Sequence, residues 1–231
     1  MKKSRILSLL VIGVLIPATL YLGTQLPGRA YYLTSTLIIF ETMLPFFFLF
    51  EKRKPQAREL VTIAVMSALA TVSRVAFAFL PSFKPITGIV MITGIAFGPE
   101  AGFLTGAVSA FASNFFYSQG PWTPWQMMAY GIGGFAAGLL FRKRGMRNHP
   151  AVLTVFGFVM ILVVVGPLLD LCTVFTSLTT LSWEAAALVF IRGFPLNVSH
   201  AAGCALTMLL FSRPLLEKLN RLKLKYGMME V

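Results

Sequence analysis

The chain has 231 residues, of which 57% are hydrophobic and only 12% are charged. Soluble domains carry about 25% charged residues, so this composition excludes an ordinary soluble protein. The net charge of +12 does not indicate a nucleic-acid partner, because most lysines and arginines fall in four short clusters beside apolar segments. That distribution is typical of the cytoplasmic loops of membrane proteins. The clusters are Lys2, Lys3 and Arg5; Lys52, Arg53, Lys54 and Arg58; Arg142, Lys143, Arg144 and Arg147; and Arg213, Lys218, Arg221, Lys223 and Lys225.

Eight apolar segments predict an all-α polytopic membrane protein. Most of them approach the roughly 20 residues that a helix needs to cross about 30 Å of hydrocarbon. The fourth segment is short and contains glycine, so we expect it to be tilted or broken. The segments are 6–22, 31–50, 58–80, 85–98, 100–117, 123–141, 151–176 and 184–212.

The basic clusters predict the topology and the division of the chain. An even number of crossings places all four clusters, and both termini, on the cytoplasmic side of the plasma membrane. We expect two N-terminal helices and a basic loop in 1–56, a six-helix core in 57–212 and a basic tail in 213–231. The tail alternates leucines with cations, which fits either an amphipathic continuation of the last helix or a frayed end.

The first segment follows the residues Met-Lys-Lys-Ser-Arg and therefore has the form of a signal peptide. It lacks a clear small-x-small cleavage site, and a second apolar segment follows closely. We therefore favour a transmembrane helix that is retained in the protein.

The most distinctive stretch of the chain is 97–141, in which two apolar halves flank a polar and aromatic segment, residues 117–126 (YSQGPWTPWQ). We call residues 117–126 the hinge; they contain two tryptophans, two prolines and no charge. Small residues recur every three or four positions on both sides, which predicts close approach of helix backbones. These are Gly102, Gly106 and Ala110 before the hinge and Gly131, Gly134 and Gly138 after it.

Isolated charges inside membrane segments are costly and normally face a partner or a wet cavity. By the predicted topology Arg74, Asp170 and Arg192 lie in the outer half of the bilayer, at the level of the hinge. We expect an outward-facing pocket for a molecule with ring surface and hydrogen-bonding groups, with residues 83–84 and the hinge as lids. The predicted lining is Arg74, Phe83, Lys84, Asn114, Tyr117, Gln119, Trp122, Thr123, Trp125, Gln126, Asp170, Arg192 and Asn197. In the structural alternative an Arg–Asp pair joins helices and the tryptophans form an interfacial belt.

The sequence has no His-x-x-x-His or Cys-x-x-Cys metal spacing, no Gly-x-Ser-x-Gly elbow and no phosphate-binding loop. We therefore expect no enzymatic activity, no cofactor and no metal site. Cys172 and Cys204 lie in apolar segments and are expected to be free thiols. Three alternatives stay open: a membrane enzyme that uses Asp170 or His200, an assembly protein without a ligand, and a secondary transporter. The absence of a convincing internal repeat disfavours the last.

Ala64 and Ala68 share one helix face beside a basic cluster, which suits docking of another membrane protein. With this pair, residues 57–212 resemble the substrate-binding S component of energy-coupling factor (ECF) transporters. Three further motifs carry the resemblance: Phe97-Gly98-Pro99-x-x-Gly102-Phe103, then Ser118-Gln119-Gly120-Pro121-Trp122-Thr123-Pro124-Trp125-Gln126, and finally Gly193-Phe194-Pro195-Leu196-Asn197-x-x-His200.

The resemblance implies a six-helix bundle that binds one vitamin with high affinity near the outer face. It also implies that Ala64 and Ala68 pack on a transmembrane coupling subunit carrying two cytoplasmic ATPases, and that the bundle topples to release its ligand inside. The two N-terminal helices depart from the six-helix pattern. The hinge is most similar to S components linked to cobalamin and its precursors, so a corrinoid is the favoured cargo. A flavin or a benzimidazole nucleoside is the alternative.

Overall fold

The computed structural model describes residues 10–25, 30–52, 56–141, 149–178 and 181–227. These residues form eight α-helices and no strand, which confirms the predicted all-α class. The basic positions 2–5, 53–54 and 142–147 lie outside the described residues. The helices are α1 (a π-helical turn Val11–Leu15 that continues as Ile16–Gln25), α2 (Ala30–Lys52), α3 (Ala57–Ala76), α4 (Ile86–Phe97), α5 (Pro99–Tyr117), α6 (Trp122–Leu140), α7 (Pro150–Ser177, with a π-helical turn Ile161–Val165) and α8 (Trp183–Tyr226).

The surface of the bundle is apolar. Three helices, α3, α7 and α8, are long and apolar enough to cross a membrane, and α2 and α4 contain shorter apolar stretches. Large hydrophobic side chains such as Val61, Val163 and Leu210 point outward, whereas hydroxyls such as those of Thr93 and Thr105 are buried. An apolar surface of this extent marks contact with lipid. The protein is therefore an all-α membrane protein.

Helix α4 lies at the centre of the bundle. All twelve of its residues are buried, and it contacts α3, α5, α6 and α8. It is one continuous helix of about 18 Å, too short to cross the hydrocarbon by itself. The preceding loop, residues 77–85, reaches into the bundle, since a Cβ on Gly203 of α8 would contact the backbone of Lys84. The fourth segment is therefore short and unbroken.

Helices α4, α5 and α6 pack backbone against backbone. A Cβ added to Gly102 of α5 would collide with the backbone of Gly134 in α6, and a Cβ on Gly134 would collide with that of Gly102. Gly94 of α4 faces Gly134 as well, and Gly106 faces the Tyr130–Gly131 backbone. The strips of small residues therefore meet face to face, as their spacing predicts.

The two N-terminal helices pack on each other and on the core. Within the pair, the Thr19 hydroxyl of α1 donates to Glu41 Oε1 of α2 at 2.5 Å. Helix α2 then covers α5 and α6, where Phe46 stacks on Phe103 with ring centroids 4.1 Å apart. Phe46 also meets Phe135 edge to face. These aromatic contacts fix the additional helices to one flank of the bundle.

Helix α8 is 44 residues long, about 66 Å, and continues through the predicted tail to Tyr226. Leu216 and Leu219 are buried in the main hydrophobic cluster. The guanidinium carbon of Arg58, in the first turn of α3, lies 5.1 Å from the ring centroid of Tyr226. Residues 213–226 are thus an ordered extension of α8 packed on the bundle, which rules out the frayed end.

Candidate functional site

Two loops lie at the same end of the bundle, because α3 and α5 finish side by side. The Tyr117 hydroxyl at the end of α5 donates to the carbonyl oxygen of Arg74 in the last turns of α3, at 3.0 Å. We call this the hinge end; it carries residues 77–85 and 118–121. Ser118 has a φ of 72°, in the left-handed region, and turns the chain from α5 into α6. The loop is shorter than predicted, because residues 122–126 already belong to α6.

Arg74 is buried, at 6% exposure, inside the hinge end. Its Nη1 donates to Ser113 Oγ at 2.5 Å, to Asn114 Oδ1 at 3.0 Å and, more weakly, to Gln126 Oε1 at 3.5 Å. The Tyr117 ring lies 4.5 Å from the guanidinium carbon. All of these partners are neutral, so the positive charge is held by dipoles and a ring face. A guanidinium in this setting attracts an anionic or carbonyl oxygen.

The polar residues of the hinge bond mainly to one another. Asn114 Nδ2 donates to Thr123 Oγ1 at 2.9 Å, and Thr123 Oγ1 donates to Gln119 Oε1 at 2.9 Å. Gln119 Nε2 donates to the Phe111 carbonyl oxygen at 2.9 Å. Thr123 is buried, whereas Gln119 is exposed. Gln119 and Thr123 therefore fasten the loop and orient the Asn114 amide toward Arg74.

A second polar group joins α7 to α8. Asn197 Nδ2 donates to Asp170 Oδ2 at 2.7 Å, and both side chains are buried. Two glycines make room for this pair, because a Cβ on Gly193 would collide with the Asp170 carboxylate and one on Gly166 with the Asn197 amide. The Arg–Asp pair of the structural alternative is not formed; the amide of Asn197 takes that place.

Rings and a histidine fill the space between the two polar groups. Trp125 stacks on Phe175 of α7 with centroids 5.9 Å apart. Deeper in the bundle, Tyr130 meets His200 edge to face at 5.9 Å, and His200 Nε2 lies 3.2 Å from Thr87 Oγ1. Helices α4, α6, α7 and α8 therefore meet through these side chains, and His200 lies about one turn of α8 after Asn197.

The structure brings most of the predicted lining together but places some residues at its rim or outside it. Trp122 is 38% exposed and packs over Gly120, and Phe83 contacts Phe77 with centroids 5.3 Å apart. Arg192 is exposed on α8 and does not join the buried polar groups, contrary to the prediction. An exposed arginine in the third turn of a helix fits the interfacial level rather than the hydrocarbon.

Sequence reasoning left four residues of this region out of the predicted lining: Thr87, Tyr130, Phe175 and His200. One signal was available for Tyr130, because Thr123, Gln126 and Tyr130 recur at i, i+3 and i+7 and so share a helix face. The others have no local signal, because their positions depend on how α4, α7 and α8 rotate against α6.

Ala64 and Ala68 lie on the outward face of α3, next to exposed Val61 and Val65. The opposite face of the same helix buries residues such as Ile63 and Met66 in the core. This surface is smooth and apolar, and the described part of the chain does not cover it.

A family model described as "ECF-type riboflavin transporter, S component" matches residues 54–218, well over half of the chain. Searches among curated proteins and among solved structures found no match. The matched interval runs from just before α3 into the extension of α8, and it leaves α1 and α2 outside. The protein therefore belongs to the family of ECF-type riboflavin transporter S components.

Proposed function

We propose that this protein is the vitamin-binding subunit of an ECF importer and that its cargo binds inside the hinge end of the bundle. The observation that carries the proposal is the buried Arg74 group, in which a cation and neutral hydrogen-bonding side chains are enclosed within apolar helices. Holding a charge at such a place costs free energy, and a ligand-binding role is the usual reason for it.

In this proposal, different side chains bind the polar edges and the ring surface of the ligand. Arg74, Asn114 and Gln126 offer donors and acceptors for one polar edge of the ligand. Asp170 and Asn197 offer a second polar edge on the side of α7 and α8, and the backbone of Lys84 reaches α8 at Gly203. The apolar ring surface of the ligand packs between them, against Trp125 and Phe175. This is the composition of a specific small-molecule site, with few polar groups in an apolar enclosure.

For the cargo we propose riboflavin or a related flat heterocycle in preference to a corrinoid. The hinge motif favours cobalamin, but the family model that matches the chain is described by riboflavin. The paired rings of Trp125 and Phe175 suit a planar aromatic ligand. The close backbone packing of α4, α5 and α6 leaves the ligand to the side of α7 and α8, which also favours the smaller molecule.

For the partners we propose a transmembrane coupling subunit with two cytoplasmic ATPases, docked on the Ala64–Ala68 face of α3. This face is exposed and made of small and β-branched side chains, which permit close contact between helices. In this arrangement the plasma membrane contains the protein, both termini are cytoplasmic and the hinge end faces outward. Loop 77–85 and the hinge then close over the ligand before the bundle moves.

The experiment is a titration of the purified protein in detergent, followed by tryptophan fluorescence and checked by calorimetry. The panel is riboflavin, cobalamin, cobinamide, thiamine, biotin, folate and a benzimidazole nucleoside. Saturable binding of riboflavin alone supports the proposal, since Trp125 and the rim residue Trp122 lie where the ligand enters. Saturable binding of cobalamin or cobinamide alone overturns the flavin assignment, and no binding by either method favours an assembly protein without a ligand.

A further inference from the structure

Two rigid side chains in the candidate site bury polar atoms that have no hydrogen-bond partner among the described residues. They are the indole nitrogen of Trp125 and the hydroxyl of Tyr130, both on α6. Trp125 is 5% exposed and Tyr130 is fully buried. Buried polar atoms are almost always hydrogen-bonded, and tyrosine and tryptophan normally find a partner when they are enclosed. Two such atoms on one helix therefore require an explanation.

Three of the other buried atoms of this kind, on Ser67, Ser212 and Glu41, have a local explanation. The hydroxyls of Ser67 and Ser212 sit on helices, where a change of rotamer lets each one donate to the carbonyl oxygen one turn earlier. Glu41 accepts a hydrogen bond at its other carboxylate oxygen. The rings of Trp125 and Tyr130 hold their polar atoms several ångströms from their own backbone, so no rotamer offers the same solution.

Both atoms belong to the region between the two polar groups. The Trp125 ring lies beside Phe175 of α7, and the Tyr130 ring lies against His200 of α8. Five residues separate them along α6, a rise of about 7.5 Å. Gln126, which contacts Arg74, lies between them in the sequence. The same five residues turn by about 140° around the helix axis, so a ligand that contacts both atoms lies against α7 and α8 as well as α6.

We propose that the Trp125 indole N–H and the Tyr130 hydroxyl are recognition groups for the ligand, and that they select a flat heterocycle with hydrogen-bond acceptors on its ring edge. Indole N–H is a donor only, so it requires an acceptor such as a carbonyl oxygen or a ring nitrogen. The phenol hydroxyl also serves as a donor here. This inference rests on the proposed function. It adds to that function two residues and the type of ligand atom that they recognise, a hydrogen-bond acceptor on the ring edge.

The proposal predicts different effects on the affinity for the ligand and on the stability of the ligand-free protein. A hydroxyl that serves the ligand contributes nothing to the empty protein, and its removal relieves the cost of a buried polar atom without a partner. A hydroxyl that serves the fold, through a water or a neighbouring side chain, contributes to the stability of the empty protein. Replacing tyrosine by phenylalanine keeps the ring against His200 and removes only the oxygen, so the two roles give opposite results.

The experiment measures riboflavin affinity by calorimetry and the melting temperature of the ligand-free protein in detergent, for Tyr130→Phe and Trp125→Phe. Loss of a hydrogen bond to the ligand is expected to weaken binding roughly tenfold in each variant. The ligand-free melting temperature of Tyr130→Phe should be equal to the wild-type value or higher. Tyr226→Phe, at the far end of α8, is the matched control and should change neither quantity.

Two results overturn this inference while leaving the proposed function intact. In the first, wild-type protein binds riboflavin and both variants bind it as tightly. In the second, Tyr130→Phe weakens binding but also lowers the ligand-free melting temperature, which assigns the hydroxyl to the fold. If the wild-type protein binds no member of the vitamin panel, the proposed function is overturned, and this inference is overturned with it.

Discussion

Arg74 shows how a charge is kept inside an apolar bundle. Its guanidinium is buried, bonds to Ser113 and Asn114 and lies over the ring of Tyr117. Neutral partners compensate part of the loss of hydration, but they do not neutralise the charge. The charge that remains lies at the hinge end, where we propose that the ligand binds. Arg74 is therefore the residue whose substitution should most directly affect binding.

We predict that Arg74→Gln weakens riboflavin binding by at least tenfold, because a charge-assisted hydrogen bond contributes about 1.5–3 kcal/mol. Arg74→Lys should recover part of the affinity, since it keeps the charge and loses the planar fork. Calorimetry of the purified variants measures both effects. Arg213→Gln is the control, because Arg213 is exposed and pairs with Glu217 at 3.2 Å. Wild-type affinity in Arg74→Gln would remove Arg74 from the site.

At the scale of the helix, glycine spacing decides how closely α4, α5 and α6 approach. Gly134 faces the backbones of both Gly94 and Gly102, so no side chain fits between these helices. Its neighbour Gly133 faces the flexible end of Met91, where a Cβ would lie 3.3 Å from Cε. Helix α6 thus has two adjacent glycines with different roles. Close packing requires glycine at position 134, whereas the space at position 133 can hold an alanine.

We predict that Gly134→Ala destabilises the protein by about 1–3 kcal/mol or more, the scale of overpacking in a closed core. Gly133→Ala should be nearly neutral or stabilising by up to about 1 kcal/mol, because alanine is the better helix former. Unfolding of the two variants in the same detergent measures the difference. Equal stability of both variants would mean that the α5–α6 contact is looser than the structure indicates.

Helix α8 reaches well beyond the length of a membrane span. Its charge-free stretch, residues 193–212, has 20 residues and matches the hydrocarbon thickness of about 30 Å, with Arg192 and Arg213 at its ends. The extension then buries Leu216 and Leu219 and brings Tyr226 to Arg58 at the start of α3. The extension therefore stiffens the end of the bundle that lies away from the hinge.

At the scale of the whole molecule, the two additional helices and the docking face occupy different surfaces. Helix α2 packs on α5 and α6 through Phe46 and Phe47, whereas Ala64 and Ala68 remain exposed on α3. The additional pair therefore leaves the proposed docking face open. Because α2 shares an aromatic cluster with the core, the pair should move with the bundle in the reorientation that the proposed transport cycle requires.

We predict that replacing Ala64 and Ala68 together by tryptophan abolishes vitamin uptake in cells and leaves the affinity of the purified protein unchanged. The added rings prevent close approach of a partner helix on this face. The matched control replaces Val155 and Val159, also four residues apart and exposed, on α7. With tryptophan at both positions, that variant places two indole rings on another outward-facing surface and should transport normally. Equal transport by both variants would place the docking face elsewhere.

The membrane class, the eight helices and the close packing around Gly102 and Gly134 could all be predicted from the sequence alone. These properties depend on composition, on segment length and on the spacing of residues along one helix, all of which are local. The resemblance to S components also followed from contiguous motifs, such as the hinge, which keep their order in the chain.

The packing of the helices in three dimensions settled which side chains meet. It gave Asp170 the amide of Asn197 as its partner, turned Arg192 outward and enclosed Tyr130 beside His200. Each of these outcomes depends on how far one helix is rotated against another, and residues tens of positions away set that rotation through packing. The sequence therefore predicted a polar pocket at the hinge, and the packing of the helices determined which buried polar atoms have no partner among the described residues.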